Sequence, residues 1–370
     1  MLPDVPRALD GTPSVIAPLD RRSPRIAPLG APPRRVLFFG KSMSRTRATG
    51  GLVEALRGEG LRVRWLNIAK LRRWIGRPLS WRFVERSYES FRPDLIFVFC
   101  RDLPRPLLEK FCTRTPVVMW LEEPLERIEE GYVDYMRHLH AVFMTNPARL
   151  PWLYDCGIRH AAFNLEGFSP TWHYPLEPRP PIERDLAFIG GPGRDGIRAH
   201  FLAAIARQFP LQIYGKGWES WQRHYPALDV RRPVGPRGYR RLCATTRILL
   251  GINQINDDPL YFSNRTLLTL ACRGFHLTHY VPKLETVFRD GEHLAWFDDV
   301  DSCLGRIEHF LARPQECEDI AARGCEAVRR EHQFRHRIRA ILARLTGEVG
   351  VDPSSDDSDA LPMRLGRAAE

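Results

Sequence analysis

The chain has 370 residues, of which 44% are hydrophobic; this share supports about two globular domains and excludes a mostly disordered protein. The formal net charge is +11, which favours anionic partners such as phosphorylated ligands, nucleic acid or an acidic membrane surface. No apolar run reaches the roughly 18 residues of a membrane-spanning helix, and the start lacks the apolar core of a signal peptide. The eight cysteines are scattered without a C-x-x-C pair, which predicts reduced thiols in a cytoplasmic protein.

The two ends of the chain differ in composition from its centre. Residues 1–33 hold eight prolines and no apolar periodicity, and residues 347–370 include the run SSDDSD. Both segments are predicted to be disordered tails. Prolines crowd again at 169–183, which we interpret as a linker between an N-terminal domain at 34–168 and a C-terminal domain at 184–346.

Both domains alternate short apolar runs with helix-like or loop segments, which predicts β-α-β units and parallel sheets. The predicted strands are 35–40, 61–68, 94–100, 116–121, 141–145, 185–189, 211–215, 247–252, 275–279 and 294–297. The predicted helices are 49–60, 197–208, 315–330 and 333–345. Because the strand runs are continuously apolar, helices should cover both faces of each sheet. The fold class is therefore α/β, with two Rossmann-like domains and a ligand site at the carboxyl ends of the strands.

A glycine-rich turn follows the first strand of the second half. Gly191–Gly196 has G-x-G-x-x-G spacing between a predicted strand and a predicted helix, as in dinucleotide-binding proteins. Pro192 removes a backbone N–H that a pyrophosphate would need, and no acidic residue ends the next strand. An NAD(P)-dependent oxidoreductase is therefore the weaker interpretation. The other two interpretations of this segment are a turn that needs positive φ and a backbone-lined edge of a different ligand site.

Glu122 and Glu123 directly follow the apolar strand VVMWL of the first half. Carboxylates at this end of a parallel strand face the ligand side of the sheet, where one of them can act as a general base. The alternative is that both complement the N-terminal dipole of a following helix. The sequence favours the two interpretations about equally.

Two basic segments have a structural and a functional interpretation. The segment 62–77 is basic, aromatic and free of acidic residues, so peripheral contact with an anionic membrane is one hypothesis. The stronger one is that Leu71, Trp74 and Ile75 pack beneath a basic face. His332 and His336 stand among five arginines, which favours a solvated basic face over a metal site.

The second half resembles a known family over about 185–340. The run SNRTLLTLACRGF at 263–275, the step Phe288–Glu292 and the motif H-x-x-x-H-R at 332–337 are similar to the CgeB-like, or spore maturation protein-like, glycosyltransferases. The segments DLAFIGG and LQIYGKGW fit the same pattern. More distantly, the chain resembles retaining nucleotide-sugar transferases of GT-B fold. In the first half, only W-x-E-x-P at 120–124 echoes the family.

The resemblance implies a GT-B fold, in which an N-terminal acceptor domain and a C-terminal donor domain face each other across a cleft. It implies transfer of a sugar from a nucleotide sugar to an unidentified small molecule, glycan or protein, without a metal or another cofactor and without a nucleic-acid partner. The alternatives are an inactive nucleotide-binding relative and, less favoured, the NAD(P)-dependent oxidoreductase.

The resemblance also indicates site residues. Ser263, Asn264 and Arg265 precede a helix whose free N–H groups would face the donor diphosphate, with Lys216 as a second cation. Leu268 replaces the family's ribose-binding glutamate, and leucine accepts no hydrogen bond. The predicted donor-binding residues are Gly190, Gly191, Lys216, Ser263, Asn264, Arg265, Thr266 and Glu285, and the predicted catalytic residues are Glu122, Glu123 and Arg265.

Overall fold

A computed structural model describes residues 24–44, 46–122, 131–193 and 196–348. The chain forms two compact units, each built on one parallel sheet of six strands. The first unit comprises the described residues up to Lys41, Gly60–Asn164, and those from Arg339 onward. The second comprises Ser42–Glu59 and Leu165–Ile338. These bounds differ from the predicted domain limits in two places, since Ser42–Glu59 groups with the second unit and the described residues from Arg339 onward group with the first.

The first unit has the strand order β2-β1-β3-β4-β5-β6, and every adjacent pair is parallel. Its strands are β1 Arg35–Phe39, β2 Arg62–Leu66, β3 Leu95–Phe99, β4 Val117–Leu121, β5 Ala141–Met144 and β6 Ala161–Phe163. The helices between β1 and β6 in the chain are α1 Ala48–Gly58, α2 Ile68–Phe91, α3 Arg105–Phe111, α4 Tyr132–Met136 and α5 Leu150–Asp155. Of these, α1 groups with the second unit. All side chains of β4 and β5 are buried, as their continuous apolar runs predict.

The second unit has the strand order β12-β11-β10-β7-β8-β9, again with every pair parallel. Its strands are β7 Arg184–Ile189, β8 Leu211–Tyr214, β9 Asp229–Arg231, β10 Thr246–Gly251, β11 His276–His279 and β12 Ala295–Phe297. The remaining helices are α6 Ile197–Ala206, α7 Glu219–His224, α8 Pro236–Thr245, α9 Arg265–Ala271, α10 Val300–Leu311, α11 Pro314–Glu331 and α12 Phe334–Thr346. This is the doubly wound Rossmann order, whose switch point lies between β7 and β10.

Three expectations differ from the structure. Of the predicted N-terminal tail, residues 24–33 pack on the first unit: Ile26 is buried, and the Leu29 amide donates to the Leu345 carbonyl oxygen. Residues 1–23 and 349–370 of the predicted tails lie outside the described residues. His332 and Arg337 do not form a solvated face, since both are buried and Arg337 Nη2 lies 2.5 Å from His332 Nδ1.

The third difference concerns α2. Trp74 and Ile75 are exposed to 68% and 39%, so they do not pack beneath a basic face; only Leu71 is partly buried against the core. In the part of the chain that the structure describes, no helix is long and apolar enough to cross a membrane.

Candidate functional site

Two turns of the second unit pack against each other at the carboxyl end of its sheet. The Gly190 amide donates to the Tyr214 carbonyl oxygen at 2.9 Å, and its own carbonyl oxygen accepts from Trp218 Nε1 at 2.9 Å. A Cβ on Gly215 would overlap the Gly190 carbonyl oxygen, so this approach requires glycine. The turn also carries Lys216, whose side chain is exposed. The turn after β7 is therefore fixed beside the turn after β8.

Arg265 lies over the turn after β7. Its Cζ is 5.9 Å from the centre of the Phe188 ring and would be 3.3 Å from a Cβ on Gly190. A glycine at 190 therefore leaves room for the guanidinium group. Within the described residues, no carboxylate pairs with Arg265, and burial lowers its pKa. The structure thus brings Gly190, Gly191 and the backbone of Lys216 close together, with Arg265 beside Gly190; these are four of the predicted donor-binding residues.

A second arginine, Arg198 of α6, reaches the same turn. It is only 9% exposed; its Nε donates to the Ile252 carbonyl oxygen at 2.8 Å and its Nη1 to the Gly191 carbonyl oxygen at 3.4 Å. Burial and the neighbouring charge of Arg265 lower its pKa to about 10. No carboxylate pairs with Arg198 in the described ranges either. Two partly or fully buried cations at one place, without a counter-ion, favour an anionic ligand.

The loop before α9 is held by its own hydrogen bonds. Asn253 Oδ1 accepts from the Ser263 amide at 2.9 Å, and Ser263 Oγ accepts from the Arg265 amide at 3.4 Å. The Thr266 amide donates to the Ser263 carbonyl oxygen at 3.0 Å. The amides of Arg265 and Thr266, which were expected to face the diphosphate, are thus already used in hydrogen bonds within the loop. The helix α9 is also short, with seven residues. The side chain of Asn264 makes no cap hydrogen bond.

Thr266 and Glu285 do not join the two arginines. The Thr266 side chain is 1% exposed, and its hydroxyl lies 3.2 Å from His276 Nε2. His276 Nδ1 lies 3.1 Å from the Leu249 carbonyl oxygen, and burial lowers the pKa of this histidine to about 3. Thr266 therefore supports the loop from inside. Glu285 is exposed and accepts a hydrogen bond from the Tyr280 hydroxyl at 2.8 Å.

Two further features surround the arginines. Leu268, in place of the family's glutamate, packs with Ile189 and Tyr214 against a small apolar cluster. Asn253 is 3% exposed, and its Nδ2 is a buried donor without a partner in the described residues. A buried donor left unpaired costs stability, so this amide is a candidate ligand contact.

Glu122 of the first unit follows β4 directly, and Trp120 Nε1 donates to its Oε1 at 3.2 Å. Burial raises the pKa of this carboxyl to about 7, although the hydrogen bond from Trp120 opposes the shift. A carboxyl with this pKa is suited to take up a proton near neutral pH. Its predicted partner Glu123 lies outside the described residues.

Comparison with known proteins gives the class of the chain. Residues 194–343 match the model of a family described as glycosyl transferase-like. The chain is a glycosyltransferase. The match covers most of the second unit, including Arg198 and Arg265, and confirms the predicted enzyme class. No curated protein matches the chain in sequence.

Solved structures give the fold of this glycosyltransferase. HepE of Anabaena, in complex with UDP and glucose, is 12% identical with a TM-score of 0.59, over 85% of this chain and 100% of HepE. Sucrose-phosphate synthase of Thermosynechococcus elongatus is 12% identical with a TM-score of 0.63, over 85% of this chain and all of that chain. An α-glucosyltransferase in complex with UDP and DNA is 9% identical with a TM-score of 0.59, over the same shares. Together they confirm the predicted GT-B fold.

Sequence reasoning missed Arg198, although the glycosyltransferase carries a signal for it. Arg198, Leu202 and Ile205 are spaced i, i+4 and i+7 on α6, and all three are buried. An arginine on the apolar face of an amphipathic helix is unusual because burying its charge is costly. Such a position indicates either a buried ion pair or an anionic ligand.

Proposed function

We propose that this glycosyltransferase takes its sugar from a nucleoside-diphosphate donor bound at the turn after β7. The observation that carries the proposal is the pair Arg198 and Arg265, which lacks a counter-ion in the described residues and lies at the switch point of the sheet. A diphosphate there would accept charged hydrogen bonds from both guanidinium groups. The UDP in the HepE complex supports a uridine nucleotide as the first probe.

The same cations suit the chemistry of the leaving group. As the bond from the sugar to the diphosphate breaks, negative charge grows on the diphosphate, and fixed cations stabilise that charge. Arg265, Arg198 and the exposed Lys216 supply three positive charges from three separate elements. We expect these charges to do the work that a metal ion does elsewhere, so the proposed reaction uses no metal.

The acceptor proton needs a base if the transfer inverts the sugar. Glu122 is our choice for this role because burial brings its pKa to about 7, close to the value that favours proton uptake at neutral pH. Glu123 remains the alternative. The acceptor is a small molecule, a glycan or a protein, and we do not expect it to be a nucleic acid.

The finer class is the CgeB-like group, supported by the motif H-x-x-x-H-R at 332–337 and by the run at 263–275. A cytoplasmic location is supported by the eight cysteines, all of which are free. Leu268 favours a second candidate function, the binding of a nucleotide without turnover, because a ribose that finds no hydrogen-bond partner at this position is less firmly oriented for the reaction.

The first test is a panel of nucleotide sugars with calorimetry on UDP. Arg265→Met and Arg198→Met should each weaken UDP binding about ten-fold to a hundred-fold, the scale of one charged hydrogen bond. Both variants should stay folded, because methionine fills much of the same space without a buried charge. Arg237→Met, at an exposed arginine of α8, is the matched control and should bind like wild type.

The panel separates the candidates. With water in place of the unidentified acceptor, release of nucleoside diphosphate from one sugar nucleotide shows that the protein cleaves the bond from the sugar to the diphosphate, as a transferase must. Binding of that sugar nucleotide without release, even with a panel of sugar acceptors added, favours the second candidate. Unchanged UDP affinity in both arginine variants would show that the diphosphate does not bind at this site. Glu122→Gln should cut turnover about a hundred-fold or more at unchanged UDP affinity.

A further inference from the structure

The outer side of α2 combines exposed apolar side chains with arginines. Four of the eight exposed large apolar side chains in the described residues belong to this one helix. Their exposed fractions are 68% for Trp74, 39% for Ile75, 55% for Leu79 and 45% for Phe83. We use the name α2 face for these four residues together with Arg72, Arg73, Arg82 and Arg86, which are also exposed.

The helix places these residues outward for a geometric reason. Val84, Tyr88 and Phe91 are buried against the core of the first unit, and Leu79, Phe83 and Arg86 follow the opposite side at helical spacing. The helical path is interrupted at Gly76, whose φ of 72° is left-handed, with Pro78 just beyond it. The turn before this break carries Trp74 and Ile75 away from the core.

The charges on α2 are separated as well. Its two glutamates point to α3 and the loop behind it: Glu85 pairs with Lys110 at 2.7 Å, and Glu89 pairs with Arg114 at 3.5 Å. The four arginines of the α2 face have no carboxylate partner within the described ranges. Lys70 Nζ lies 4.4 Å from the centre of the Trp74 ring and adds a further positive charge. The α2 face therefore joins unneutralised positive charge to unburied apolar area.

We infer that the α2 face docks on the surface of an anionic phospholipid bilayer. The four apolar side chains would enter the boundary between headgroups and acyl chains, while the arginines contact lipid phosphates. Tryptophan beside arginine is favoured at this interface because each has an apolar body and a polar end. Binding to phosphate alone would explain the arginines and leave four exposed apolar side chains without a partner. The bilayer accounts for both the arginines and the apolar side chains. From the sequence alone, packing of Trp74 and Ile75 beneath a basic face was the stronger hypothesis, and membrane contact was the weaker one.

The test is flotation of the full chain with vesicles of phosphatidylcholine, with and without phosphatidylglycerol. We expect binding to the anionic vesicles only, and weaker binding as salt is raised. Arg82→Gln with Arg86→Gln should weaken the partition about thirty-fold, from about five-fold for each cation near the surface. Leu79→Ser with Phe83→Ser should weaken it at least about ten-fold, through lost apolar burial.

The controls use equivalent residues elsewhere. Arg207→Gln with Arg232→Gln removes two exposed arginines of the second unit, and Ile182→Ser removes an exposed apolar side chain. These variants should float like wild type. All variants should keep their melting temperature and their affinity for UDP, because none of the changed residues lies at the turn after β7.

Several outcomes would overturn the inference. Three of them are no binding of wild type to anionic vesicles, equal binding of wild type to zwitterionic vesicles, and binding that the α2 variants leave unchanged. If the α2 variants instead abolish self-association in sedimentation, or binding to a DNA or RNA oligonucleotide, while vesicles are ignored, the face serves that other partner.

Discussion

Glu122 keeps a proton at higher pH than an ordinary glutamate because of where β4 ends. The five residues of β4 are all buried, and the carboxyl that directly follows them is withdrawn from water as well. Trp120 donates one hydrogen bond to it, which favours the charged form, but burial outweighs this contact and the pKa rises to about 7. A charged Glu122 is therefore a cost to the fold.

This cost predicts how the stability of the protein depends on pH. The folded-state pKa of about 7 lies above the ordinary value of 4.5, so between these values the folded state binds more protons than the unfolded state. The contribution of Glu122 to stability is therefore fully present below about pH 4.5 and is lost as the pH rises to about 7. The loss is about 3 kcal/mol at most by the usual conversion. Glu122→Gln removes the titration, so its stability relative to wild type should increase from pH 5 to about pH 8.

Urea unfolding at several pH values measures this difference. Glu326→Gln changes an exposed glutamate of α11 and is the control, with a difference from wild type that stays constant. If the stability difference between Glu122→Gln and wild type is also constant across pH, the Glu122 carboxyl does not lie in a buried site that disfavours its charged form.

At the scale of elements, the strands were predictable where burial is complete. The runs at 117–121 and 141–144 are apolar at every position because helices cover both faces of the sheet. The strands β6 and β9 were missed because each has three residues, too few to form a pattern. The helix α2 was missed because Gly76 and Pro78 are helix-breaking residues, and its outward apolar side chains contradict the rule that places such residues in a core.

The contact between the turns after β7 and β8 gives a prediction at the same scale. Gly215→Ala should destabilise the protein by about 1–3 kcal/mol, the usual cost of overpacking, because the new methyl group would overlap the backbone at Gly190. Any shift that relieves the overlap moves the turn beneath Arg265, so UDP affinity should fall too. Urea unfolding and calorimetry measure the two effects.

Gly235→Ala is the matched control for this change. No atom lies within 4 Å of a Cβ at this position, so both stability and UDP affinity should stay close to wild type. If Gly215→Ala behaves like Gly235→Ala, the two turns are not packed as closely as the structure shows.

At the scale of the whole molecule, the resemblance predicted a set of residues that the fold partly brings together. It predicted Gly190, Gly191, Lys216 and Arg265, which the fold brings together because β7 pairs with both β8 and β10. It also predicted an anion site made of N–H groups at a helix start, whereas the amides of Arg265 and Thr266 bond to Ser263 within the loop, and our proposal assigns the anion to Arg198 and Arg265 instead. The missing residue was Arg198, which lies 67 positions before Arg265 in the sequence and comes near it because β7 and β10 are neighbours in the sheet.

Ligand binding should stabilise the folded chain by an amount that follows from its affinity. A ligand that binds only the folded state, at a hundred times its Kd, stabilises that state by about 2.7 kcal/mol. For a unit of this size, the melting temperature should rise by about 5–11 °C. UDP should have this effect on wild type and on Gly235→Ala, and it should have almost none on the Arg198→Met, Arg265→Met double variant at the same concentration. Where the two units melt in separate steps, only the transition of the second unit should move, since both arginines belong to it. A shift produced by NADH and not by UDP would restore the oxidoreductase, because the turn at Gly191–Gly196 would then bind a dinucleotide in spite of Pro192.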